Sequence, residues 1–225
     1  VLLEIVDISM LPIMLLCIAF TAFLWSFTVK EPQDAPQSQK QLEALLPVLK
    51  RPVVSAFFCI EFIMLFAQAP FYSFYSNYLK ANGFSTTSIG FLWSVGVIAE
   101  IIMFAYATFF LKILSWRVLV SICLLMTGLR FIIAGSFPNS FSAQFLSQTM
   151  HAFSFGLFHM IAMRIIFQNF TAGQQGRGQA LYSTMWGLGV ASGSLLAGHY
   201  WQSLGGEMIF ILAGCSVIFG LLLVK

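Results

Sequence analysis

An all-α, polytopic membrane protein built as a helical bundle is the fold class the sequence predicts, and two observations carry it. Of the 225 residues, 59% are hydrophobic and 8% charged, against about 45–50% and about 25% in soluble domains, and the mean hydropathy is +0.89. The apolar residues also fall into blocks near the length that crosses about 30 Å of hydrocarbon, roughly 20 residues. A soluble chain of this size needs charged side chains to cover its surface. A soluble enzyme, a nucleic-acid module and a disordered chain are therefore excluded together. Aromatic residues reach 16%, with 25 Phe, which suits a lipid-facing or ligand-facing surface.

Seven spans are expected, over residues 9–29, 53–76, 88–111, 117–136, 141–169, 179–201 and 207–224. Between the first two lies a hydrophilic stretch over 30–52, reading EPQDAP and then QSQKQLEALLPVLKRP. It is expected as a linker, with a short amphipathic helix over 39–49 before Pro52. The chain opens on Val1 inside an apolar run, with no basic leader and no small-residue cleavage site, so its start does not read as a signal peptide. The expectation is a piece of a longer polypeptide, with 30–52 the one candidate domain boundary. Orientation follows from Lys and Arg, which favour the cytoplasmic side. Lys30, Lys40, Lys50, Arg51, Lys112, Arg117, Arg177 and Lys225 share one side, and Lys80 alone among basic residues falls on the other. The long loop and the C-terminus are thus expected in the cytoplasm, and the protein in the inner or plasma membrane.

The cysteines, Cys17, Cys59, Cys123 and Cys215, sit singly in different apolar runs. Neither a zinc site nor a disulfide framework is supported, and they read as small hydrophobes. No metal or cofactor is expected.

Charges inside the spans are costly and persist when paired, hydrated or functional. They are Glu61, Glu100, Arg130 and Arg164, with His151, His159 and His199. Counting inward from the span ends at about 1.5 Å per residue brings Glu100, Arg130 and His151 to similar depths on three consecutive spans. An acid, a base and an imidazole at one level suit proton and solute binding; the structural alternative is a Glu100–Arg130 ion pair beside an interior histidine. On the fifth span His151, Phe155, His159 and Met163 recur at i, i+4 and share a face. Arg164 lies off that face near the cytoplasmic end, as a cavity residue or an interfacial anchor, and His199 reads as part of an aromatic belt with Tyr200 and Trp201. Gln68, Pro70 and Asn77 interrupt the second span among Phe71, Tyr72, Phe74 and Tyr75, a pattern of kinked helices that line cavities, with a lipid-facing belt the alternative. Gln68, Tyr72 and Tyr75 join Glu61 and His159 as secondary cavity candidates. The run GLGVASG imitates a dinucleotide fingerprint, but no strand precedes it; Gly187, Gly189 and Gly193 instead predict close helix packing.

The stretches GFSTTSIGFLWSVGVIAEIIMF (83–104), TGLRF (127–131), MHAFSFGLFHMIAMR (150–164) and QALYSTMWGLG (179–189) agree in order and spacing with a known pattern. They resemble the C-terminal half of the phenylpropionic acid permease family of the major facilitator superfamily. The more distant lactose permease shows a similar glutamate, arginine and histidine on successive helices, matching Glu100, Arg130 and His151. The resemblance covers about residues 53–224 and implies helices 6–12 of a twelve-helix carrier, with 1–29 the last helix of an N-terminal bundle, 30–52 an inter-bundle linker and 53–225 a C-terminal six-helix bundle. It further implies that Glu100, Arg130 and His151 serve proton coupling or solute binding, with the missing N-terminal half as partner. The chain departs from the lactose permease where Ser154 stands for an acid and Gln148 for a lysine, so the proton falls to Glu100 or Glu61. The superfamily's cytoplasmic loop motif is also degenerate: LKILSWR (111–117) keeps basic residues but lacks glycine and aspartate.

The function expected is proton-coupled symport of a small organic solute by alternating access. Arginine with aromatic neighbours favours an aromatic acid, and a sugar or nucleoside remains open. A heptahelical receptor is the competing class. Against it, the third span lacks an acidic-arginine-aromatic triplet and the last lacks an NPxxY-like turn. An intramembrane enzyme would need HExxH or GxSxG, and neither is present.

Overall fold

A computed structural model describes residues 10–28 and 44–224; the rest of the expected linker, including Lys30, Lys40 and the start of the 39–49 helix, lies outside the described residues, as does Lys225. The chain divides into two compact units, 1–42 and 43–225. Every element among the described residues is helical.

The first unit contributes α1 (Leu11–Ser26), 16 residues opened by Pro12 in its first turn. Proline fits there because the lost N–H has no helical partner anyway. The helix is apolar on every side, with Ile13, Leu16, Phe20 and Trp25 all exposed. At about 1.5 Å per residue the described helix is shorter than the full span expected over 9–29.

The second unit opens with the short α2 (Leu46–Leu49), at the described end of the stretch where the amphipathic helix is expected. Then follow α3 (Pro52–Ala81), α4 (Thr86–Ile113) and α5 (Trp116–Ser136). Next come α6 (Phe141–Thr149), a π-helical turn (Ala152–Leu157) and α7 (Phe158–Asn169), which together form the fifth expected span. Last is α8 (Gln175–Phe219), finished by a 3-10 turn. Five of these stretches are long and apolar enough to cross a membrane.

The helix ends are written locally. Ser85, Ser115 and Ser140 sit at the N-caps of α4, α5 and α6 and accept from Ser88 N (3.1 Å), Val118 N (3.5 Å) and Ala143 N (3.4 Å), each cap contributing about 1 kcal/mol. Helix α3 ends in a Schellman motif: Gly83 takes φ +84°, Phe84 N donates to Leu79 O (3.1 Å) and Gly83 N to Lys80 O (3.2 Å).

The last two expected spans run together as α8, but Gly205 interrupts it at φ 79°, ψ 156°, a conformation essentially reserved for glycine. There the chain turns back on itself. Gly189 abuts Phe62 and Leu65 of α3, and Gly220 abuts Ile63 of the same helix; in one straight helix those glycines would stand about 45 Å apart. The first limb packs on α3 and the second on both α3 and α5. Close approach is made by small residues, as bilayers favour. A Cβ on Gly189 would fall 2.9 Å from Leu65 Cβ, and one on Gly193 would meet Phe66 O and, at 2.7 Å, Ala69 Cβ. Gly187 is different: nothing lies within 4 Å of where its Cβ would be, so its assignment to the packing seam is corrected. On the other limb, a Cβ at Gly214 would come within 2.6 Å of Gly128 O.

Pro70 does not break α3, which continues through it. It removes the donor that would bond the Phe66 carbonyl, and that carbonyl is the one facing Gly193. The proline and the glycine across from it therefore belong to one contact.

Candidate functional site

The π-helical turn follows directly after His151 and lies where α4, α5 and α3 converge. His151 Nε2 is 2.6 Å from Glu100 Oε1, and His151 Nδ1 is 3.2 Å from Ser154 Oγ. The Ser154 hydroxyl itself donates to His151 O (3.1 Å), and Gln68 Nε2 donates to Ser154 O (3.2 Å). The wider π turn thus leaves a carbonyl to a side chain on another helix, an arrangement common at functional sites. Room for the pair comes from small residues: a Cβ at Gly96, one turn before Glu100, would strike Gln148 Oε1 at 2.7 Å, and one at Gly156 would press on Met103 at 3.3 Å.

Arg130 does not pair with Glu100. Its guanidinium is fully buried and lies over two rings, 4.4 Å from the centre of Phe71 and 4.5 Å from that of Phe131. None of its nitrogens has a hydrogen-bond partner, and neither does the buried amide of Gln148. Cation–π contact offsets part of the desolvation, but three unsatisfied charged donor atoms are an uncommon arrangement in a buried site. Phe71 bridges the two halves of the site, since its ring centre also lies 5.2 Å from that of His151. Glu100 and His151 therefore form a direct pair, with Arg130 one ring away.

The other candidates separate into three groups. Tyr72 lies beside the pair: it donates to Gln68 Oε1 (3.4 Å) and its ring stands 6.1 Å from Trp186 and 6.5 Å from His151. His159 extends the predicted face of the fifth span, with His151, Phe155 and His159 in a ladder of ring centres 6.1 Å apart at each step. Glu61 is fully buried and lies lower in α3.

Arg164 takes the anchoring role and not the cavity one, while Tyr75 stays beside the site, its ring centre 4.9 Å from that of Phe71. Tyr75 is 1% exposed and donates to Gln144 Oε1 (3.1 Å); Gln144 Nε2 in turn donates to Ala134 O (3.0 Å) and Phe137 O (3.1 Å), satisfying the orphan carbonyls at the end of α5. Arg164 donates to Leu111 O in the last turn of α4, and Arg51 does the same for Asn169 O at the end of α7 (3.0 Å). A cation at a helix C-terminus meets both the free carbonyls and the negative end of the dipole. His199 is exposed beside Tyr200, in keeping with a belt residue.

The structure adds residues that motif reading passed over. Phe131, Trp186 and Tyr182 all carry ring contacts at the site. For Phe131 the available signal was its place next to an intramembrane arginine; for the other two, membership of the QALYSTMWGLG run. Among the described residues no cluster of three or more His, Cys, Asp or Glu stands ready for a metal.

Fold and site together define a multi-pass helical membrane protein with a polar centre held between its helices, and comparison with known sequences places it. The chain matches the MFS_1 like family over residues 1–212 and belongs to it. It is 29% identical over 209 residues, 88% of its length, to a protein of Escherichia coli (strain K12) described as a probable 3-phenylpropionic acid transporter. The chain spans about half of that relative, 53% of its length.

Proposed function

We propose that this chain is part of a secondary carrier that moves a small aromatic carboxylate together with a proton by alternating access. The observation that carries the reading is Arg130, a buried guanidinium with three unpartnered nitrogens, clamped between Phe71 and Phe131 beside the Glu100–His151 pair. A carboxylate solute would supply the missing acceptors, and Arg is suited to take it bidentately. The rings of Tyr72 and Trp186 nearby would receive its aryl group. The family and the E. coli relative's description support the same class.

Coupling follows from linkage. Glu100 holds His151 at 2.6 Å; a proton arriving on this pair changes the charge that a solute carboxylate meets, so proton and solute affect each other's binding reciprocally. With Ser154 in place of a second acid on the same helix, Glu100 is the carboxylate in contact with the histidine. The two bundles would rock about this site, the N-terminal half completing the cavity, in an inner membrane with the 30–52 loop and the C-terminus on the cytoplasmic side.

The test is uptake of 3-phenylpropionate by the full-length protein in liposomes, with and without an inward proton gradient. Gradient-driven accumulation is expected. Accumulation of a sugar or nucleoside in preference to the aromatic acid would replace the substrate assignment, and uptake indifferent to the gradient would overturn the coupling.

A further inference from the structure

Two to three turns from the Glu100–His151 pair, toward the α2 end of the bundle, lie further titratable side chains. Glu61 on α3 is 0% exposed, and neither of its carboxyl oxygens has a hydrogen-bond partner. Tyr182 on α8 is buried as well, but it is engaged: its hydroxyl is 3.1 Å from His159 Nδ1 on α7, and the two rings pack with centres 5.5 Å apart.

A buried carboxylate is tolerated when a cation or several N–H or O–H donors hold its charge. Glu61 has neither solvent nor a hydrogen-bond donor, so the form that its surroundings accept is the neutral acid. The two histidines are also kept apart. Phe155 stands between His151 and His159, its ring 6.1 Å from each and within 9° of parallel to His159. A phenyl ring neither donates nor accepts a proton, so no hydrogen-bonded chain passes through it.

We propose that Glu61 is a second proton-binding group of the interior, distinct from the Glu100–His151 pair, and that it holds a proton at neutral pH. The inference does not depend on the transport reading. It concerns the occupancy of one carboxyl, which is measured without any solute.

The experiment is infrared spectroscopy of the purified full-length protein at neutral pH, comparing wild type with Glu61→Gln and Glu100→Gln. A protonated-carboxyl stretching band is expected in wild type and in Glu100→Gln and is expected to vanish in Glu61→Gln. Glu61→Asp, which keeps the acid on a shorter stem, should retain the band at a shifted position. A wild-type spectrum without the band overturns the proposal, as does a band that Glu61→Gln leaves in place or that Glu61→Asp leaves unmoved. Failed uptake of 3-phenylpropionate together with the expected band would reject the substrate and retain the site.

Discussion

Arg130 and Glu100 are both intramembrane charges, yet their surroundings ask different things of them. Glu100 has a partner at 2.6 Å in His151, while Arg130 has only the faces of two rings. If Arg130 receives a solute carboxylate, Arg130→Met should weaken binding of 3-phenylpropionate by about 30-fold or more, equivalent to about 2 kcal/mol at the low end for a desolvated charge pair. Binding of the corresponding uncharged amide should hardly change, and equal losses for both compounds, measured by titration, would show a merely structural role. Glu100→Gln should abolish proton-driven accumulation while sparing solute exchange across the membrane. Normal uphill uptake by that variant in vesicles would remove Glu100 from the coupling. Arg164 carries the opposite lesson: polar within an apolar run, it was a candidate for the cavity, and it closes the end of a neighbouring helix.

Helix ends and helix contacts are the next scale up, and here glycine identity separates by position. Gly193 faces the Phe66 carbonyl freed by Pro70, whereas Gly187 faces open space. Gly193→Val should therefore destabilise the protein by about 1–3 kcal/mol through overpacking, seen as a lowered melting temperature. Gly187→Ala should be neutral or slightly stabilising, since alanine is the better helix former by up to about 1 kcal/mol. Equal melting temperatures for the two variants would refute this seam. Gly205 forms the turn between the limbs of α8, and at φ 79°, ψ 156° any side chain is strained by about 1–3 kcal/mol. Gly205→Ala should lower the melting temperature as well, by a route that involves no packing contact with another helix. The serine N-caps of α4, α5 and α6 and the Gly83 turn are local chemistry, made within four or five residues. The π turn was not legible: AFSFGL reads as ordinary helix, and the extra residue per turn is tolerated because Gln68 on another helix takes up the Ser154 carbonyl.

For the whole molecule the open quantity is orientation. If the bias of Lys and Arg sets the topology, a cysteine introduced at Lys80 should react with a membrane-impermeant maleimide in intact cells. One introduced at Arg117, at the other end of α4 and α5, should react only after the membrane is opened. The reverse pattern would invert the assignment of sides. Arg51, one of the residues in that bias, also holds the carbonyl end of α7, as the intramembrane Arg164 holds that of α4.

The sequence alone determined the membrane class and brought Glu100, Arg130 and His151 to a similar level on three consecutive helices. Composition fixes the solvent in which the chain is stable, and rise per residue fixes depth along a helix. Tertiary structure decided the azimuth of each helix, and with it which side chains meet. That Glu100 pairs with His151 and not Arg130, that Phe71 lies between them, that Gly193 packs and Gly187 does not, and that Glu61 ends without a donor all depend on rotation and approach between helices. Those are set by contacts between residues far apart in the chain, summed over the bundle, and no local spacing encodes them.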